Sequence, residues 1–340
     1  MIQTVKKCCD PKSLPLAAAA VFGGASVAAY SGNFEIFSTI ICLLFALSFM
    51  ALGSMLYFYS LIRNTWGNGV ERYRLSQPGI IANENTEMGL KAAITGMGVV
   101  VLILGLGLIT MAQPVDNVHF SPSTPHFLIV IFNVFNEIWA WIIGLILVMA
   151  IYFGFFGPRP IVRGPWFLLI TFICFGPIGV LGTSYIMVTH LPTDVPTLND
   201  MNQSFINAWI VGVFAAISQM MFCYRNCDYS EHHGRHTLVS RIGRKNGKRL
   251  MIALAISTWA VSLITTFFIA KDNVRGPSLI DLLGAIVCVV VLVKMNSNWT
   301  HDEWIKYMKI VNWTPCVTMF LFLIYALIFG SPNDRVIQFF

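Results

Sequence analysis

Asn133 and Glu137 stand four residues apart in Asn133-Val-Phe-Asn136-Glu137-Ile-Trp139, inside a long apolar run. On a helix that spacing puts both side chains on one face. An ionisable group in the middle of such a run is a candidate proton relay or substrate contact. The competing reading is a hydrogen bond across a helix interface. A second constellation is cationic. Between residues 224 and 249 lie Arg225, Arg235, Arg241, Arg244, Lys245, Lys248 and Arg249. Guanidinium and ammonium groups at this density suit a phosphate-bearing ligand, with Arg225, Arg235 and Lys245 the candidate contacts. The competing reading is topogenic charge held at anionic headgroups. No nucleic-acid-binding module accompanies the charge, so nucleic acid is not an expected partner.

Other reactive groups are sparse. Asp281, near the start of an apolar run, is expected at the membrane interface, and Gln219, inside another, is expected to bond a neighbour. The 8 cysteines are scattered, and most lie in apolar runs. No Cys-x-x-Cys pair suggests a zinc site, and no framework suggests a secreted disulfide scaffold. They read as small packing residues.

The elements that must position these groups follow from composition. The chain has 340 residues, 56% of them hydrophobic and 11% charged, with mean hydropathy +0.70. Soluble domains carry about 25% charged residues. Lipid is therefore the expected solvent, where only helices and closed barrels satisfy their backbone groups. The apolar runs are continuous rather than alternating, which excludes a barrel. A span needs about 20 apolar residues. By this measure the chain is one all-α membrane domain, 1–340. It has nine spans, at 14–30, 34–62, 92–112, 127–153, 165–188, 205–224, 250–270, 278–293 and 314–329. Lys6, Lys7 and Lys12 precede the first run without a cleavage site, so that run is read as a retained span rather than a signal peptide.

Nine spans sort the charge. Of the 22 Lys and Arg residues, only Lys271, Arg275 and Arg335 fall on one side of the membrane. The others fall on the side of the N-terminus, which the positive-inside rule makes the cytoplasm, matrix or stroma. Trp66, Trp299, Trp304 and Trp313 are expected in the interfacial belt. Residues 298–311 are expected as a helix lying on the basic face.

Two stretches carry a family resemblance. One is Gly154-Phe-Phe-Gly-Pro-Arg-Pro-Ile-Val-Arg-Gly-Pro-Trp166, with Phe175-Gly-Pro-Ile-Gly-Val-Leu-Gly-Thr-Ser-Tyr185 after it. The other is Arg225-Asn-Cys-Asp-Tyr-Ser-Glu-His-His-Gly-Arg-His-Thr-Leu238, running on to Lys245. Together with Pro11-Lys-Ser-Leu-Pro15, they resemble, in the same order, the UbiA superfamily of intramembrane prenyltransferases. The 1,4-dihydroxy-2-naphthoate polyprenyltransferases are the branch they resemble most. The resemblance covers about residues 10–330 and implies a nine-helix bundle. It also implies transfer of an isoprenoid from its diphosphate to an aromatic acceptor. Two aspartate motifs would hold Mg²⁺ against the leaving diphosphate.

The sequence departs from the family at those motifs. An Asn-Asp-x-x-Asp motif belongs after Gly53, but residues 53–70 contain no Asp and the next acid is Glu71. An Asp-x-x-x-Asp motif belongs near Asn226, but the aligned places hold Asn226 and Ser230. Asp228 and Glu231 stand close by, displaced. Leu168 occupies the place of a further family acid, and Asp10 that of the opening Arg. The cationic loop persists while the metal ligands do not. The expectation is a non-catalytic UbiA-like pseudoenzyme without a cofactor. It would be a structural or lipid- or quinone-binding subunit of a larger membrane complex. A respiratory complex of the mitochondrial inner membrane is favoured, with the bacterial plasma membrane or the thylakoid as alternatives. One competing expectation is an active Mg²⁺-dependent polyprenyltransferase using Asp228 and Glu231, with an isoprenoid as ligand. Another is a transporter or channel organised around Glu137.

Overall fold

The computed structural model describes residues 13–30, 32, 34–65, 84–111, 142, 144–146, 165–188, 198–227, 237–268 and 275–329. The described elements are helical. They begin with α1 (Leu14–Tyr30), α2 (Ile36–Thr65) and α3 (Glu84–Met111). Next come α4 (Phe167–Ile173), a π-helical segment (Cys174–Leu181) and α5 (Gly182–Val188), without interruption. The chain continues as α6 (Leu198–Arg225), α7 (Leu238–Phe268), α8 (Arg275–Lys294) and α9 (His301–Phe329). Among the described residues, 6 segments are long and apolar enough to cross a membrane. They lie in α2, α3, the run from α4 to α5, α6, α7 and α9, with α1 as a shorter apolar helix. Most of the expected span 127–153 lies outside the described residues, Asn133 and Glu137 included.

Helix α1 coincides with the first expected span and is buried nearly all round. It packs on α9, α6, α2, α5 and the π segment. Its sequence, LPLAAAAVFGGASVAAY, is mostly Ala and Gly. In lipid, helices associate through close van der Waals contact rather than apolar burial, and small side chains permit it. A Cβ on Gly24 would stand 2.6 Å from Val180 O, so the backbones of α1 and the π segment touch there.

Gly176-Pro177 lies inside the π segment. Proline has no N–H to donate, and its ring crowds the carbonyl one turn back. The wider π turn relieves that crowding while the helix continues. The helix therefore runs through Gly176-Pro177 without a break. Thr183 Oγ1 and Ser184 Oγ donate to Gly179 O and Val180 O, one turn back, at 2.8 and 2.9 Å.

Helices α6 to α9 form a four-helix group. Helix α6 packs on α7 and α9, α7 on α8, and α8 on α9. Phe214, Met220, Met251, Leu292 and Met319 share its core. Helices α2 and α3 pair on the other side of α1, and Val99, Leu102 and Ile103 on α3 remain exposed.

Three expectations change. Helix α9 starts at His301 and runs unbroken to Phe329, so residues 298–311 are not a separate surface helix. Trp304 is 3% exposed and belongs to the core rather than to the interfacial belt. Indole rings suit either place, and only packing separates them. Asp281 is 2% exposed, against the interfacial position expected for it. It sits two turns inside α8, where its carboxyl faces Ser262 of α7.

Candidate functional site

The cationic segment is organised by two helix ends. Helix α6 stops at Arg225, which is half-buried, and Cys227 just beyond is 3% exposed. The chain is next described at Thr237, whose Oγ1 accepts from Ser240 N at 3.2 Å and caps the start of α7. One turn later Gly243 adopts φ 80°, ψ 156°, which divides α7 into a short first turn and a long second part. Only glycine takes this conformation without strain.

The break re-aims the second part of α7. The Arg244 guanidinium lies 5.8 Å from the centre of the Tyr224 ring, within cation–π range. Tyr224 meets Trp304 at 6.0 Å between ring centres. Trp304 meets Trp299 edge-on at 5.1 Å, and Trp299 stacks on Tyr307 at 4.3 Å. One turn along α7, Lys248 Nζ donates to Val293 O and Met295 O at 2.8 Å each. It thereby satisfies carbonyls left open at the end of α8. These contacts bring the end of α6, the start of α7, the end of α8 and the start of α9 together at one end of the molecule. The aromatic cluster closes that end of the four-helix group.

Of the candidate phosphate contacts, Arg225 is half-buried at the end of α6 and Lys245 is exposed on the outer face of α7. Arg235, Asp228 and Glu231 lie outside the described residues. Sequence reasoning placed Arg244 and Lys248 in the cationic segment and Trp299 and Trp304 in the interfacial belt, but it foresaw none of these contacts and did not name Tyr224. The signal was faint: Arg244 sits next to a glycine that could turn the chain, and nothing local marks Tyr224 as its partner.

The donor set here can be tested against the hard cation that the resemblance implies. Mg²⁺ takes oxygen ligands, chiefly carboxylates and water. Helix α2 carries no carboxylate from Ile36 to Thr65. The last turn of α6 is Phe222-Cys-Tyr-Arg225, offering a thiol, a phenol and a guanidinium. Among the described residues, no group of three His, Cys, Asp or Glu side chains could hold a metal. The described residues of this end do not fit Mg²⁺.

A second polar site lies deeper. Ser262 Oγ donates to Asp281 Oδ2 at 2.6 Å, between α7 and α8. A third ties α1 to α6: Asn207 Nδ2 donates to Gly23 O and to Ser26 Oγ at 3.0 Å each. Gln203 Nε2 donates to Asn207 Oδ1 at 3.1 Å. Such bonds join helices where lipid offers no alternative partner.

No protein-family model and no curated protein matches this sequence. Solved structures do. A UbiA homologue from Aeropyrum pernix K1 superposes with a TM-score of 0.60 at 11% identity, over 91% of this chain and 96% of the homologue. The chain has the UbiA fold. A digeranylgeranylglyceryl phosphate synthase superposes with a TM-score of 0.50 at 13% identity, over 96% of this chain and 99% of the synthase. The UbiA likeness extends along nearly the whole chain, as the resemblance of the sequence implied. It concerns the fold and leaves the chemistry to the residues.

Proposed function

We propose that this UbiA-fold protein has lost metal-dependent prenyl transfer and serves as a lipid- or quinone-binding structural subunit of a larger membrane complex. The observation that carries the reading is the carboxylate-free face of α2. A diphosphate leaving group needs its charge neutralised by metal, and metal needs clustered carboxylates. Helix α2 supplies none over its length. Arg225 and Arg244 remain at the same end of the molecule, so the cationic character of the site outlasts its metal ligands. The apolar bundle with a cationic rim suits a quinone, an isoprenoid or a phospholipid. The digeranylgeranylglyceryl phosphate synthase, by its name, makes an isoprenoid lipid, and that class of ligand is the one we carry over.

The positive-inside rule orients the basic end toward a matrix or cytoplasm. A respiratory complex of the mitochondrial inner membrane is the assembly we favour, with a bacterial plasma membrane or a thylakoid as the alternative setting. One feature favours a second reading, an active polyprenyltransferase: Asp228 and Glu231 follow the end of α6 within two turns' length of chain. Calorimetric titration of the purified chain with an isoprenoid diphosphate separates the two. Our reading predicts that Mg²⁺ leaves the affinity unchanged. Binding that requires Mg²⁺ would favour the second.

A further inference from the structure

The outer face of α7 is apolar for most of its length but not at its start. Lys245, Arg249, Ala253, Ile256 and Ile264 are exposed in turn, a single stripe at helical spacing. The opposite positions Gly247, Met251, Ala255, Thr258 and Ser262 are buried. Helix α8 repeats the pattern in reverse direction. Leu283, Ile286, Val290 and Val293 are exposed along it, and Lys294 is exposed at its end. Lys248 ties the two helices together at that end, because its Nζ holds Val293 O and Met295 O. Three exposed cations therefore crown one apolar surface that two neighbouring helices share.

Charge decides what this surface fits. Among the described residues of α7 and α8, the only carboxylate is Asp281, which is buried and far from the cationic end. Helix α9 differs. Its exposed Lys306 and Lys309 follow exposed Asp302 and Glu303 within two turns, which offsets their charge. We propose that the α7–α8 face binds an anionic phospholipid. Lys245, Arg249 and Lys294 hold the headgroup, and the acyl chains lie along Ile256, Val290 and Leu283. The site does not depend on whether the fold still transfers prenyl groups.

The test uses the full-length protein in detergent micelles. Native mass spectrometry would compare retention of phosphatidylglycerol and phosphatidylcholine with the same acyl chains. Wild-type protein is expected to retain phosphatidylglycerol preferentially. Each of Lys245→Gln, Arg249→Gln and Lys294→Gln should weaken that retention by about fivefold, the equivalent of about 1 kcal/mol per cation at an anionic surface. The triple variant should lose the preference, and Lys306→Gln with Lys309→Gln should keep it. Thermal unfolding checks that each variant is folded, and the single variants carry the test if the triple variant is not. Millimolar inorganic phosphate should leave the retained lipid in place. A triple or single variant that keeps the full preference would overturn the proposal. So would an equal loss in the α9 control, or displacement by phosphate.

Discussion

Asp281 accepts a hydrogen bond from Ser262 across the α7–α8 interface through Oδ2, while its other oxygen, Oδ1, is buried with no hydrogen-bond partner. A carboxyl group in this position is tolerated because one bond remains. Ser262→Ala removes that bond and is expected to cost about 1–2 kcal/mol. Ser262→Ala combined with Asp281→Leu removes both polar partners and should recover most of the loss. Unfolding measurements in micelles on the two variants would check this, and a neutral Ser262→Ala would show that the bond is dispensable.

Asn207 makes a stronger claim on the fold. It links α1 to α6 through Gly23 and Ser26, and Gln203 bonds its remaining acceptor. Asn207→Leu is expected to destabilise the protein by about 1–3 kcal/mol. The loss should appear as earlier release of α1, measurable by protease access to a site placed ahead of Leu14.

Two glycines should respond in opposite ways. Gly24→Ala drives a methyl group into Val180 O and Thr183 and should cost about 1–3 kcal/mol. Gly182→Ala meets nothing within 4 Å and should be neutral or stabilise the helix by up to about 1 kcal/mol. Equal effects at the two positions would contradict the close approach of α1 to the π segment.

Two tryptophans separate core from belt. Trp304 is 3% exposed and Trp313 is 53% exposed, on the same helix. Trp304→Ala should cost about 3–5 kcal/mol. Trp313→Ala should change stability by less than about 1 kcal/mol. Thermal unfolding of the pair provides the comparison.

The helical membrane architecture was legible because lipid makes one physical rule dominant: apolar runs must be helical. The bounds of α1 followed from its run alone. Where helices outlast their apolar stretch, hydropathy misled. Helix α7 starts at Leu238 with basic residues and α9 starts at His301, because the backbone continues to satisfy itself after the side chains become polar. Trp304 and Asp281 were misplaced for the same reason. Trp304 lies in the first turn of α9 ahead of its apolar run and Asp281 near the start of one, and which way a side chain near a helix end points is set by neighbours distant in sequence. Arg244 and Tyr224 meet only because Gly243 turns the chain, a conformational detail with no signature beyond the glycine itself. The motif departures on α2, by contrast, were readable directly, since a missing carboxylate needs no geometry.

The central claim is that a UbiA fold persists here without the metal-dependent reaction. The direct measurement is prenyl transfer by the purified chain in lipid nanodiscs, with Mg²⁺, a polyprenyl diphosphate and an aromatic acceptor. The account predicts no product above the protein-free background. A Mg²⁺-dependent product that Asp228→Asn abolishes would contradict it.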